Sequence, residues 1–100
     1  MENKDQVKVA ELKQFLESRK PGISVCTNWD YDLRAASFRF DPDEAHVLSR
    51  LLYISDDVLD DHSIDKIIEG LKSRRWEEVI DSVSAGTKII YTSKGFQTVR

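Results

Sequence analysis

Residues Ile23–Phe40, ISVCTNWDYDLRAASFRF, decide how the chain folds. From Ile23 to Leu33 every odd position is apolar or Thr: Ile23, Val25, Thr27, Trp29, Tyr31 and Leu33. The even positions Ser24, Cys26, Asn28, Asp30 and Asp32 are small or polar. Such alternation marks a strand with one buried face and one wet face. By Ala36, Phe38 and Phe40 the apolar residues have moved to even positions, with Ser37 and Arg39 between them. A parity change means that the chain has turned, so the stretch reads as a β-hairpin. Its turn lies within Asp30–Arg34, where Asp accepts local backbone hydrogen bonds. Tyr31 and Leu33 then belong to the turn. If helices cover Val25, Trp29, Phe38 and Phe40, the opposite row Ser24, Cys26, Asn28, Ser37 and Arg39 stays open to solvent or to a partner.

Upstream, Val9, Leu12, Phe15 and Leu16 share one face at helical spacing, which predicts a helix over 6–19. Arg19 and Lys20 suit its C-terminal dipole, and Pro21-Gly22 ends it. Downstream, Asp41-Pro42-Asp43-Glu44 reads as a cap, a first-turn proline and a capping box. Ala45, Leu48, Leu51 and Leu52 then form an apolar stripe, predicting a helix to about Ser55, with His46, Arg50 and Tyr53 towards its other side.

Ser63 is a plausible cap for a further helix, with Asp65 in the first turn. Ile64, Ile67, Ile68 and Leu71 share one face. Trp76, Val79, Ile80 and Val83 share another, rotated by roughly 120° on an ideal wheel. One straight helix cannot bury both, so a break is expected near Lys72-Ser73-Arg74-Arg75, with Ser73 capping the second piece. Gly86 suits a C-terminal stop. Ile89–Tyr91 and Phe96–Val99 flank Ser93-Lys94-Gly95 as a second hairpin, in a three-residue loop with Gly last.

The order is therefore α-β-β-α-α-α-β-β in residues 1–100. It predicts a single α+β domain, an antiparallel sheet of about four strands in two hairpins with three to four helices mainly on one face. One hundred residues suit one core. A single cysteine excludes an internal disulfide and fits a reducing compartment. The charged start MENKDQVKVAEL has no apolar run of a signal peptide, and no segment is long enough to span a membrane, so the expectation is a soluble cytoplasmic protein.

Charge is unevenly spread over a net −3. Residues 41–65 carry eight acids against Arg50, whereas 66–100 carry seven bases against four acids. Asp56, Asp57, Asp60 and Asp61 form the strongest candidate surface, an acidic patch facing a protein partner. The outer strands of the hairpins add edges on which a partner's strand or a homodimer can build. The expectation is a small non-enzymatic interaction domain (a regulator, inhibitor, immunity-type or adaptor protein) with no cofactor.

Two other chemistries compete. Carboxylates at Asp56, Asp57, Asp60 and Asp61 beside His62 are ligands for a hard cation, and Asp60, Asp61 and His62 suggest a small metal-dependent enzyme. Their spacing is not that of a calcium loop, and helix ends collect aspartates for capping alone. Arg74, Arg75 and Trp76 combine charge with an aromatic ring, as nucleic-acid binding requires. Trp76, however, is in phase with Val79, Ile80 and Val83 as a core residue, and the chain has no basic footprint. Cys26 lacks a local motif for a catalytic thiolate, and Asp30 and Asp32 are more simply turn formers than an acid–base pair.

Overall fold

A computed structural model describes residues 3–19, 23–42, 50–83 and 87–99. Helix α1 (Asn3–Arg19) leads into β1 (Ile23–Asp30) and β2 (Ala35–Pro42), the predicted hairpin. Its turn is residues 31–34, where Asp30 Oδ1 accepts a hydrogen bond from the Leu33 N–H at 3.0 Å. Tyr31 stands in that turn, 79% exposed, as its place outside the buried row requires. Next come β3 (Arg50–Ser55), α2 (Asp56–Asp61), α3 (Ile64–Ser73), α4 (Trp76–Ser82), β4 (Lys88–Thr92) and β5 (Gly95–Val99). The helix ends at Pro21-Gly22 and Gly86, and the segment 43–49 with His46, lie outside the described residues.

The α+β class and the single helical layer stand, but among the described residues the sheet has five strands in the order β1-β2-β3-β4-β5 and is mixed. The difference comes from residues 41–55. Asp41 and Pro42 are not a helix start; they close β2, paired with Ser24 and Ile23. Arg50–Ser55 is not the end of a helix but the central strand, antiparallel to β2 and parallel to β4. The run Leu51-Leu52-Tyr53-Ile54 satisfies helical spacing, yet four consecutive apolar residues equally fit a strand with side chains buried on both faces. Central position decides it: Leu52 lies between Phe38 and Ile89, and both Leu52 and Ile54 are fully buried. A strand followed by three helices before the next strand returns parallel, because the helices carry the chain back across the sheet.

One core unites the layers. Val9, Leu12 and Leu16 of α1, Val58 and Leu59 of α2, Ile67 and Leu71 of α3, and Trp76 and Ile80 of α4 join Val25, Ala36, Phe38, Phe40, Leu52, Ile54, Ile89 and Tyr91. The four helices of the described residues thus cover the same side of the sheet. Among the described residues no helix is long and apolar enough to cross a membrane.

The break after α3 is present, though Ser73 does not cap α4. Its hydroxyl donates to Gly70 O within α3, and α4 begins instead after Arg75, in the left-handed region at φ 53° and with no side-chain cap. The second hairpin turns on Ser93-Lys94 alone, and Gly95 at φ 102° is already paired with Thr92.

Candidate interaction surface

The β1–β2 ladder fixes which backbone groups of β1 are left over. In an antiparallel pair, residues alternate between exchanging both hydrogen bonds and pointing both groups away. Pro42 has no N–H, so Ile23 opposite it is in a pair that does not exchange both bonds. The alternation then aims the N–H and C=O groups of Ile23, Val25, Thr27 and Trp29 away from β2. Two contacts agree with this phase. The Trp29 N–H donates to Asn28 Oδ1 at 2.9 Å and not across the ladder. On the far side of β2, the Asp56 N–H donates to Arg34 O at 2.9 Å, in step with the pairing of Ala36 and Ile54. Sheet order places β1 at an edge, with no strand beyond it among the described residues.

The outer row of the hairpin is where alternation put it. Ser24, Cys26, Asn28 and Arg39 are exposed and Ser37 is half-buried. The Arg39 guanidinium donates to Asp41 at 3.0 and 3.1 Å, and the Cys26 thiol donates to Asp41 Oδ2 at 3.4 Å. The hydrogen bond to Asp41 and its negative charge, with a smaller contribution from Cys26, raise the Arg39 pKa above its ordinary value. Beyond Arg39 the same face carries Leu51, Tyr53, Ile90 and Val99, none of them in the main core. Tyr53, read from the sequence as lying on a polar helix side, is 5% exposed, with the Lys88 ammonium 6.0 Å from its ring centroid.

The four aspartates are gathered on α2, a helix that periodicity did not separate from its neighbours. Ser55 caps it, accepting from the Val58 N–H, and Asp56 and Asp57 occupy the first turn, where the helix dipole favours negative charge. Asp60 and Asp61 sit exposed in the last turn, where that dipole disfavours them. Lys8 offsets this: its ammonium donates to the carbonyls of Leu59 and His62, the latter at 2.9 Å. The Asp56–Arg34 bond also joins the start of α2 to the β1–β2 turn, so Asp30 and Asp32 lie at the same end of the molecule as the acidic helix.

Among the described residues no group of three or more His, Cys, Asp or Glu side chains has the arrangement of a metal site. Asp60, Asp61 and His62 are therefore near in sequence without converging. His62 turns elsewhere, with its buried Nδ1 unpartnered among the described residues. It lines a cleft of about 290 Å³ with Lys66, Gly70, Arg74 and Tyr91. The basic–aromatic cluster is likewise divided. Trp76 is 1% exposed and stacks on Phe40, centroids 5.9 Å apart, so it presents no face to a nucleic-acid base. Arg74 lies over the Tyr91 ring and Arg75 pairs with Glu78 at 3.8 Å.

Comparison with protein-family models, curated proteins and solved structures gives no match.

Proposed function

We propose that this chain is a small non-enzymatic protein-interaction domain that works through the β1 side of its sheet, with the acidic end beside it steering the approach. The observation that carries this reading is the edge itself. Four alternate residues of β1 direct their N–H and C=O groups outward, and Ile23–Trp29 contains no charge, proline or glycine to blunt pairing. Asn28 holds one of those groups, the Trp29 N–H, and leaves the stretch from Ile23 to Thr27 available. A strand added there gains main-chain hydrogen bonds for affinity and side-chain pockets for specificity. Long-range attraction from Asp56, Asp57, Asp60 and Asp61 favours a basic partner surface.

Affinity capture from the native cell, run in parallel with wild type and T27P as bait, tests the reading. Thr27 is exposed and its N–H points outward, so proline removes an edge donor and leaves the β1–β2 ladder intact. At least one protein is retained by wild type and lost by T27P; identical capture by both sinks the proposal. For a partner so identified, D60K/D61K slows association several-fold and flattens its salt dependence. These two positions are better probes than Asp56 and Asp57, because lysine in the last turn of α2 agrees with the helix dipole. An unchanged association rate would reduce the aspartates to plain solvation.

A further inference from the structure

We propose that the strand added to β1 is β1 of a second copy of this chain, antiparallel and centred on Cys26; the inference rests on reading the β1 edge as the interaction surface and not on attraction by the aspartates, which a second copy also carries. Ile23–Trp29 is symmetric in residue type about its midpoint. Ile23 and Trp29 are large and apolar, Ser24 and Asn28 small and polar, Val25 and Thr27 β-branched, with Cys26 in the middle. A two-fold interface requires such self-complementarity, because each residue meets the counterpart of its mirror position.

Laid antiparallel about Cys26, one strand places Ile23 against Trp29 of the other, Ser24 against Asn28, Val25 against Thr27 and Cys26 against its own copy. The hydrogen-bond phase agrees with that register. The outward-pointing residues are Ile23, Val25, Thr27 and Trp29, and the register pairs them only with one another. Each pair therefore exchanges both bonds, the Asn28 side chain releasing the Trp29 N–H. Apolar contact follows as well. Ile23 and Trp29 are half-buried at the two ends of the strand, and the pairing covers each with the other. No charged side chain opposes another within the row. A foreign strand has no reason to share this symmetry; a second copy has it by construction.

Cys26 reports the register. It falls in a pair that exchanges no backbone hydrogen bonds, where Cα atoms approach to about 4.5 Å. That lies within the roughly 4.4–6.8 Å over which a disulfide closes. Both thiols sit on the exposed outer face.

Light scattering on the purified chain, with and without oxidised glutathione, decides the matter. Wild type has twice the chain mass under reducing conditions. On oxidation it closes a Cys26–Cys26 bond, the two thiols giving two electrons and two protons to oxidised glutathione, whose own disulfide breaks to two thiols. T27P and T27K both lose the dimer and the rapid cross-link while keeping the wild-type circular dichroism; should T27P fail to fold, T27K decides alone. A monomer at every concentration, a dimer that survives in the folded variants, or a dimer that does not cross-link at Cys26 overturns the proposal. Failure here remains distinct from failure of the broader reading. A monomeric wild type that still loses a captured protein on T27P substitution keeps the edge and rejects the second copy, whereas a monomer with identical capture rejects both.

Discussion

Helices α3 and α4 are consecutive, separated by two residues, and held in opposite ways. Local sequence builds α3. Ser63 caps it at 3.3 Å to the Lys66 N–H, Asp65 sits in its first turn, Lys72 in its last, and Ile67 and Leu71 form its buried stripe. By contrast α4 has weaker local support: Glu77 and Glu78 suit its first turn, but neither capping residue supplies a side-chain cap. Its N-cap Arg75 is left-handed and offers no side-chain bond, and its last turn has no basic residue. Tertiary contacts take over at both ends. Trp76, its first residue, is clamped between Phe15 and Phe40, with centroids 6.1 and 5.9 Å away. At the other end Arg50, from the start of β3, donates to the carbonyls of Ile80, at 3.0 Å, and Val83. A seven-residue helix is too short to stand by propensity. Its existence is therefore a property of the core and of one arginine distant in sequence.

The largest test of that contrast is Trp76→Ala. Removing a fully buried indole costs about 3–5 kcal/mol. Urea unfolding measures the loss, and native-state hydrogen exchange should show α4 opening before α3. A loss below about 1 kcal/mol would mean that the aromatic clamp does not anchor the helix. Arg50→Met comes next. Methionine keeps the apolar stem but donates nothing, so two carbonyls at the end of α4 lose a charged donor. Such bonds contribute about 1.5–3 kcal/mol, and the half-buried setting of Arg50 places the expected cost near 2 kcal/mol. Exchange in α4 accelerates with α3 little changed; equal acceleration in both would remove the distinction between them.

The same division between local and tertiary control explains what could be read from the sequence. Strict alternation placed the β1–β2 hairpin, its turn and its polar outer row, because period-two patterning records burial directly. The change of helical phase between Leu71 and Trp76 located the α3–α4 break. The mechanism of the break is not in the sequence, since Ser73 has the chemistry of a cap and only the fold shows that it serves Gly70 instead. β3 is not legible locally, because Leu51, Leu52 and Ile54 fit two periods at once and the capping signal at Asp41–Glu44 favours the helical one. Whether such a run is strand or helix depends on having β2 and β4 on either side, which no local window contains. The candidate surface was legible in part. The aspartates stood out by composition, but their placement on a helix held by Lys8 did not. The outward phase of β1 needed Pro42 in register with Ile23, a pairing between residues nineteen positions apart. The roles of Lys8 and Arg50 left no signal, because a cation that caps a distant helix resembles any solvated one.

The finest test acts on the junction itself. Arg75 holds φ 53° and ψ 56°, a conformation costing an L-residue about 1–2 kcal/mol. Glycine adopts it freely but gives up about 0.5–1 kcal/mol through the greater freedom of the unfolded chain. The Arg75–Glu78 pair adds little on the other side, since both side chains are more than 70% exposed and such surface pairs contribute at most about 0.5 kcal/mol. R75G should therefore stabilise the protein by about 0.5 kcal/mol, raising its Tm by roughly 2–4 °C. Arg75→Ala separates the backbone from the side chain. Alanine removes the same ion pair and keeps the strain, so it gives no such gain. If the two variants melt together, the left-handed junction carries no strain, and the weakness of α4 lies wholly in its missing caps.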